Sequence, residues 1–283
     1  MTDRRKARTW AEIDLGAMAH NYRALKALTP AGCGFLGLVK ADAYGHGAVP
    51  VAEKLQELGA DMLAVACAAE GEELRRGGIV LPILCLGQTD PALAQDLLDW
   101  NITQTVEDLE SAQALSRVAL AAGKRLRVHL KVDTGMGRLG FLWGDGENGS
   151  ALEKMTALCA LPGLEVEGMF THFAAADEDE TYTATQAVSG GEEGSGGPGA
   201  SFRNLPLRRQ RRCVTLWAEP HGYDPSRHRP IRLPARPGDR GPRPDPGHDS
   251  EKPGGRRPAN ACRKPHQLWL YRRAGAGFQG SCP

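Results

Sequence analysis

Lysine 40 closes an apolar run, Phe35 to Val39, and opens the stretch Lys40-Ala41-Asp42-Ala43-Tyr44-Gly45-His46-Gly47. A lysine at the mouth of a strand is either solvated decoration or an amine held for chemistry, and position alone favours decoration. The residues behind it favour chemistry. An aromatic ring stands four places on, and Gly-His-Gly lets backbone and ring approach a bound group closely. A second cluster lies in Arg127–Asp133, where Val128, Leu130 and Val132 alternate with His129, Lys131 and Asp133, one apolar and one ionisable face. That alternation also suits an edge strand with a wet side. It runs into Thr134-Gly135-Met136-Gly137-Arg138-Leu139-Gly140, a glycine-hinged loop around one arginine, whose rigid fork suits a carboxylate or a phenolic oxygen. A third apolar run ends Met169-Phe170-Thr171-His172-Phe173-Ala174, with a lone histidine that on its own reads as structural.

The elements that must position these groups alternate. Thr9–Asp14 reads as a short strand and Leu15–Leu28 as a helix, with Leu15, Met18, Ala19, Tyr22, Leu25 and Leu28 at helical spacing, Asp14 as its cap and Pro30 as its stop. Strands follow at Phe35–Lys40, Met62–Ala68, Ile83–Gln88, Ile102–Val106, Arg127–Asp133 and Glu165–His172. Helices are expected at Val49–Leu58, Ala69–Arg76, Pro91–Trp100, from Val106 to Ala122, and near Leu152–Ala160. Short apolar strands, each followed by a helix, call for an α/β fold with a parallel sheet under helices. Lys40, Gln88, Asp133 and His172 stand at the carboxyl ends of different strands, which favours a TIM barrel over a doubly wound sheet. No G-x-G-x-x-G follows the first strand, so a dinucleotide domain is not expected.

Together these stretches resemble the alanine racemases. Residues 38–47 resemble the family's pyridoxal phosphate (PLP) motif, Val-x-Lys-Ala-(Asn/Asp)-(Ala/Gly)-Tyr-Gly-His-Gly, with Leu38 at the Val position. His129 to Arg138 resembles the second signature, and Thr171-His172-Phe173-Ala174 resembles the family's Thr-His-Phe-Ala. The resemblance covers residues 9 to about 186 and implies a PLP-binding (β/α)8 barrel. It implies that Lys40 carries the cofactor and is the catalytic acid/base on one face of the substrate. By the same resemblance Tyr44 reaches the phosphate, Arg138 binds the ring oxygen and the substrate side, and His172 faces the ring. Lys131 matches a strand lysine that the family often carries carbamylated, giving a carboxylate that holds the arginine.

At 283 residues with a formal net charge of +1, neither a nucleic-acid nor a membrane partner is expected. There is no run of about 18 apolar residues, and the start shows no apolar signal segment. Seven scattered cysteines without a CxxC pair read as reduced thiols of a cytoplasmic protein, with no metal site. A seam lies near residue 187. Of the 19 prolines, 14 follow Gln186, arginine replaces lysine, and apolar periodicity stops.

The sequence thus divides into 1–186, a partial barrel of about six in-frame β/α units, and 187–283, an Arg/Pro/Gly-rich segment expected to be disordered. The C-terminal β-domain that the resemblance implies is expected to be missing. Three readings of 187–283 compete: an arginine-rich RNA-binding arm, a linker, or the same gene read in a shifted frame. Read one base later, the degenerate codons of Cys213 to Leu233 permit a run ending D-M-I-R-P-G-I-A-L-Y-G, resembling the family's third signature. Pro206 to Cys213 permit H-C-A-A-S-(A/G)-(A/G), resembling its phosphate-binding serine loop. Pro265 to Tyr271 permit H-(T/I)-S-Y-G-Y-T, resembling the loop that carries the family's catalytic tyrosine, whose codon would span Leu268 and Trp269. Three matches in family order favour a frameshift near Thr183–Ala187. An unclosed barrel leaves raw strand edges, so the chain as written is expected to fold poorly and to be inactive. The resemblance implies interconversion of L- and D-alanine for peptidoglycan, by a homodimer with a shared site. The rivals are a broader-specificity amino-acid racemase or a PLP-dependent decarboxylase, a non-catalytic PLP-binding homeostasis protein on the same barrel, and the RNA-binding tail.

Overall fold

Where the chain is apolar and β-branched it becomes parallel strands, and where its apolar residues recur at helical spacing it becomes helices laid over them. The computed structural model describes residues 11–29, 33–144, 147–176, 179–191, 214–217 and 271–272. Its main sheet runs in the order β2 (Leu36–Leu38), β3 (Met62–Val65), β4 (Ile83–Cys85), β5 (Thr103–Val106), β6 (Leu126–Asp133), β8 (Leu164–His172) and β9 (Val214–Trp217). Each neighbouring pair is parallel, so every strand delivers its carboxyl end to the same edge of the sheet. A two-residue strand, β7 (Phe141–Leu142), pairs with the end of β6, and β1 (Cys33–Gly34) pairs antiparallel with β10 (Tyr271–Arg272).

The connections are helical: α3 (Ala48–Glu57) after β2, α4 (Ala68–Arg76) after β3, α5 (Ala94–Asp99) after β4, α6 (Leu109–Ala121) after β5 and α7 (Asn148–Cys159) after β6. This is the α/β, TIM-barrel-like plan expected from the alternation, with six β/α units in order. Leu63, Leu84, Leu97, Leu130, Met155 and Leu158 are fully buried between strands and helices. The layers touch closely. A Cβ on Gly37 would meet Leu55 Cδ1 at 2.6 Å, so β2 carries a glycine where α3 lies against it.

Three local expectations change. Ala11–Asp14 form no strand; they are exposed, and Asp14 instead caps α1 (Leu15–Ala27) by accepting from Gly16 N at 2.8 Å and Ala17 N at 2.9 Å. Thr9 and Trp10 lie outside the described residues. The helix expected from Pro91 begins as a 3-10 turn, Pro91–Leu93, capped by Asp90, before α5. Nor is β6 an edge strand with a wet side. It sits between β5 and β8, and Val128 to Asp133 are all buried. Most of 187–283 lies outside the described residues; of that segment 187–191, which are helical, β9 and β10 are described, and β9 continues the sheet beside β8.

Candidate functional site

β2 stays in ladder register up to Val39, whose N–H donates to Ala64 O at 2.9 Å, and then the backbone reverses hand. In α2 (Lys40–Gly45), Ala41, Asp42, Ala43 and Tyr44 all take φ between 50 and 56°. Four consecutive non-glycine residues in this region cost about 1–2 kcal/mol each, so the turn must be held from outside. It is held at several points. Ala43 N donates to Val39 O at 3.0 Å and Gly47 N to Asp42 O at 3.0 Å. Asp42 Oδ1 accepts from Ala48 N at 2.6 Å, pinning the turn to the start of α3. Ala43 is buried beneath it. The geometry leaves the Lys40 amine 5.9 Å from the centre of the Tyr44 ring, with Tyr44 exposed. The sequence places these two side chains four residues apart on one loop, and the turn leaves them side by side.

The loop after β6 is built around Asp133. Its carboxylate accepts from Gly135 N at 2.9 Å, Gly137 N at 3.1 Å and Arg138 N at 2.8 Å. Burial pulls the Asp133 pKa up, but these three donors, with Lys131 nearby, hold it below the usual carboxylate range. The loop is thereby wrapped around one charge, and the Arg138 side chain emerges exposed at its rim. Beneath it, Lys131 is buried, donates to Val132 O at 3.0 Å and lies 5.6 Å from the Phe170 ring centre. Burial and the Arg138 charge push its amine down to about 8, against the opposing pull of Asp133 and Glu107.

His172 ends β8, buried, beside the same loop. Thr171 and Thr134 hydroxyls share a 2.8 Å hydrogen bond across β6 and β8. Gln186 of α8 (Glu180–Gly191) is buried, accepts from Ala174 N at 2.9 Å and donates to Thr134 Oγ1 at 3.4 Å. Tyr182 of the same helix donates to Gly135 O at 2.8 Å. Two residues before Lys131 on β6, His129 is buried beside Thr105 in the register of β5. Its Nδ1 and the Thr105 hydroxyl have no hydrogen-bond partner, and burial with the Arg127 charge pushes the imidazole down to about 4.

The structure therefore sets Lys40 with Tyr44 on the β2 loop, and Lys131, Asp133, Arg138 and His172 around the ends of β6 and β8, all at the carboxyl edge. Gln88 is also there but exposed. Sequence reasoning missed Asp42, Glu70, Tyr182 and Gln186 as supports. Glu70 reads as an ordinary acidic residue in the first turn of α4, and nothing in spacing shows that its carboxylate reaches Ala41, 29 residues back. Among the described residues no group of three or more His, Cys, Asp or Glu could hold a metal ion, and no helix is long and apolar enough to cross a membrane.

A profile of the alanine racemase N-terminal domain matches residues 13–189, more than half of the chain. The chain belongs to this family. It is similar to the alanine racemase of Desulforamulus reducens, 48% identical over 178 residues that cover 62% of this chain and 47% of the relative. It thus spans about half the length of the curated relatives it matches. Among solved structures it resembles an alanine racemase from Clostridium difficile 630, with a TM-score of 0.62 and 43% identity, covering 65% of this chain and 48% of that one. It also resembles a histidine racemase from Leuconostoc mesenteroides, with a TM-score of 0.56 and 31% identity, covering 62% and 46%. The expected family and barrel-like fold are both borne out, and the racemase barrel is the frame in which the carboxyl-edge groups are read.

Proposed function

We propose that residues 1–186 are the PLP-binding barrel portion of an alanine racemase, and that 187–283 is its continuation read out of frame. The observation that carries the reading is Lys40, presented with Tyr44 by a left-handed turn at the carboxyl end of β2. The donor set fits the cofactor. A half-buried primary amine suits its aldehyde, the exposed Tyr44 phenol its phosphate, the Arg138 guanidinium its phenolic oxygen, and the His172 imidazole its ring. When bound, PLP supplies the electron sink that makes a Cα proton removable. Lys40 Nζ then takes or returns that proton on one face of Cα, while Arg138 holds the substrate carboxylate side. Inversion needs a second acid/base on the opposite face. In the shifted frame a tyrosine is restored there, contributed by the second copy of a homodimer. Lys131, an amine pushed down to about 8, is neutral often enough near neutral pH to react with carbon dioxide, and we assign it as the carbamylated support of Arg138.

The racemase of the family supplies D-alanine for the cell wall from the cytoplasm, and this is the role we assign. Alanine is the favoured substrate because the relatives named above include alanine racemases at 48% and 43% identity. The likeness to a histidine racemase is the observation behind a broader-specificity reading. The test is to restore the frame near Thr183–Ala187 and assay racemisation of alanine, serine, lysine and histidine alongside the chain as written. Turnover of alanine by the restored protein, with none by the written chain, is expected. Equal rates on histidine would replace the substrate, and no turnover on any amino acid would sink the racemase reading.

A further inference from the structure

Glu70 lies in the first turn of α4, half-buried, and both its carboxylate oxygens are used. Oε2 accepts from Ala66 N at 2.7 Å, close to what an acidic residue at a helix start ordinarily does. Oε1 does something else. It accepts from Ala41 N at 2.8 Å, the residue directly after Lys40 and the first of the four left-handed ones. The Ala66 peptide passes the tie onward, since its carbonyl accepts from Gly87 N at 3.0 Å, and Gly87 O accepts from Gln104 Nε2 at 2.7 Å. The loops after β2, β3 and β4 are thus linked in series to a buried side chain of β5, with Glu70 as the link at the lysine end. Gly87 leaves no slack there, because a Cβ on it would meet Ala66 O at 2.5 Å.

We infer that Glu70 is a positioning residue for Lys40: its carboxylate holds the left-handed turn that presents the amine beside Tyr44. The inference rests on the reading of Lys40 as the lysine that carries PLP. A carboxylate is the side chain this position needs, because two backbone N–H groups converge on it and only an acceptor with two free oxygens meets both. Glutamine keeps one acceptor and turns a donor toward the other N–H. Alanine removes both bonds. The ordinary alternative is that Glu70 only starts α4; it would then matter for the helix and not for the lysine.

The experiment uses the full chain and the variants Glu70→Ala and Glu70→Gln, with Glu73→Ala, exposed on the same helix, as a control. Two quantities are read: amide hydrogen exchange in peptides covering 40–47, 66–76 and 126–133, and uptake of added PLP, followed by the visible absorbance of the lysine-linked cofactor and by its mass on Lys40 after reductive trapping. Losing a charge-assisted hydrogen bond is expected to speed exchange over 40–47 by roughly tenfold and to weaken PLP uptake by roughly tenfold in Glu70→Ala, less in Glu70→Gln, with 126–133 unchanged. Unchanged exchange over 40–47 overturns the tie, as does loosening confined to 66–76. Loosened exchange with undiminished uptake overturns the positioning role. If the parent chain takes up no PLP, exchange alone decides whether Glu70 holds the turn, and the proposed function stands or falls separately on turnover by the frame-restored protein.

Discussion

At the scale of single residues, the buried base His129 sets how the protein meets acid. Its imidazole is pushed from 6.5 down to about 4 by burial and by Arg127. Between those values the unfolded chain binds the proton and the folded chain does not. Stability is therefore full above pH 6.5 and falls as pH drops toward 4, by roughly 3 kcal/mol in all. Urea unfolding at pH 7 and pH 4.5 should show that loss, and His129→Leu should flatten it; an unchanged slope in the variant would remove His129 as the cause. Lys131 has the same sign in another window. With its amine lowered from 10.5 to about 8, the protein should gain stability as pH rises through that interval, and Lys131→Met should abolish the gain. The measurement is made in carbon-dioxide-free buffer, where Lys131 stays an amine.

At the scale of elements, the β6 loop is folded back so tightly that one glycine is compulsory. Gly140 has φ of 116°, and a Cβ there would stand 2.6 Å from Lys131 O and 2.9 Å from Lys131 C, both backbone atoms that cannot swing aside. Gly140→Ala should cost roughly 2–3 kcal/mol and disturb Arg138, which the same loop presents. Gly123→Ala, with φ of 64° and nothing within 4 Å of its Cβ, should cost about 1 kcal/mol. Comparing the two denaturation midpoints separates collision from backbone strain, and equal losses would contradict the argument. α8 acts on the same loop from the far side. Gln186→Leu removes an acceptor from Ala174 N and a donor to Thr134, so it should destabilise by roughly 1–3 kcal/mol, read from the same unfolding curves.

At the scale of the molecule, the six β/α units form one continuous core, and the strand added beside β8 comes from beyond the seam at residue 187. The family profile ends at residue 189, close to that seam. If the second acid/base of the proposed racemisation comes from a partner copy, turnover by the frame-restored protein should fall faster than its concentration on dilution and recover on re-concentration. Activity strictly proportional to enzyme down to the lowest assayable concentration would place both groups in one chain.

Much of this was legible along the chain. The alternation of short apolar runs with helical spacing determined the α/β plan, because a strand buried on both faces has no other composition open to it. The Lys40 and Arg138 loops were legible because chemistry needs rare residue types beside glycine, which stands out locally. Asp14 announced its cap for the same local reason. The burial of His129, Lys131 and Asp133 was not legible: alternation shows that a strand has two faces, and only the neighbours β5 and β8 decide that both are covered. Nor was the hand of the turn after Lys40, since Ala-Asp-Ala-Tyr has no local preference for positive φ. That turn is held by Glu70 from another β/α unit, and a bond between residues 29 apart exists only once the strands have set their ends side by side.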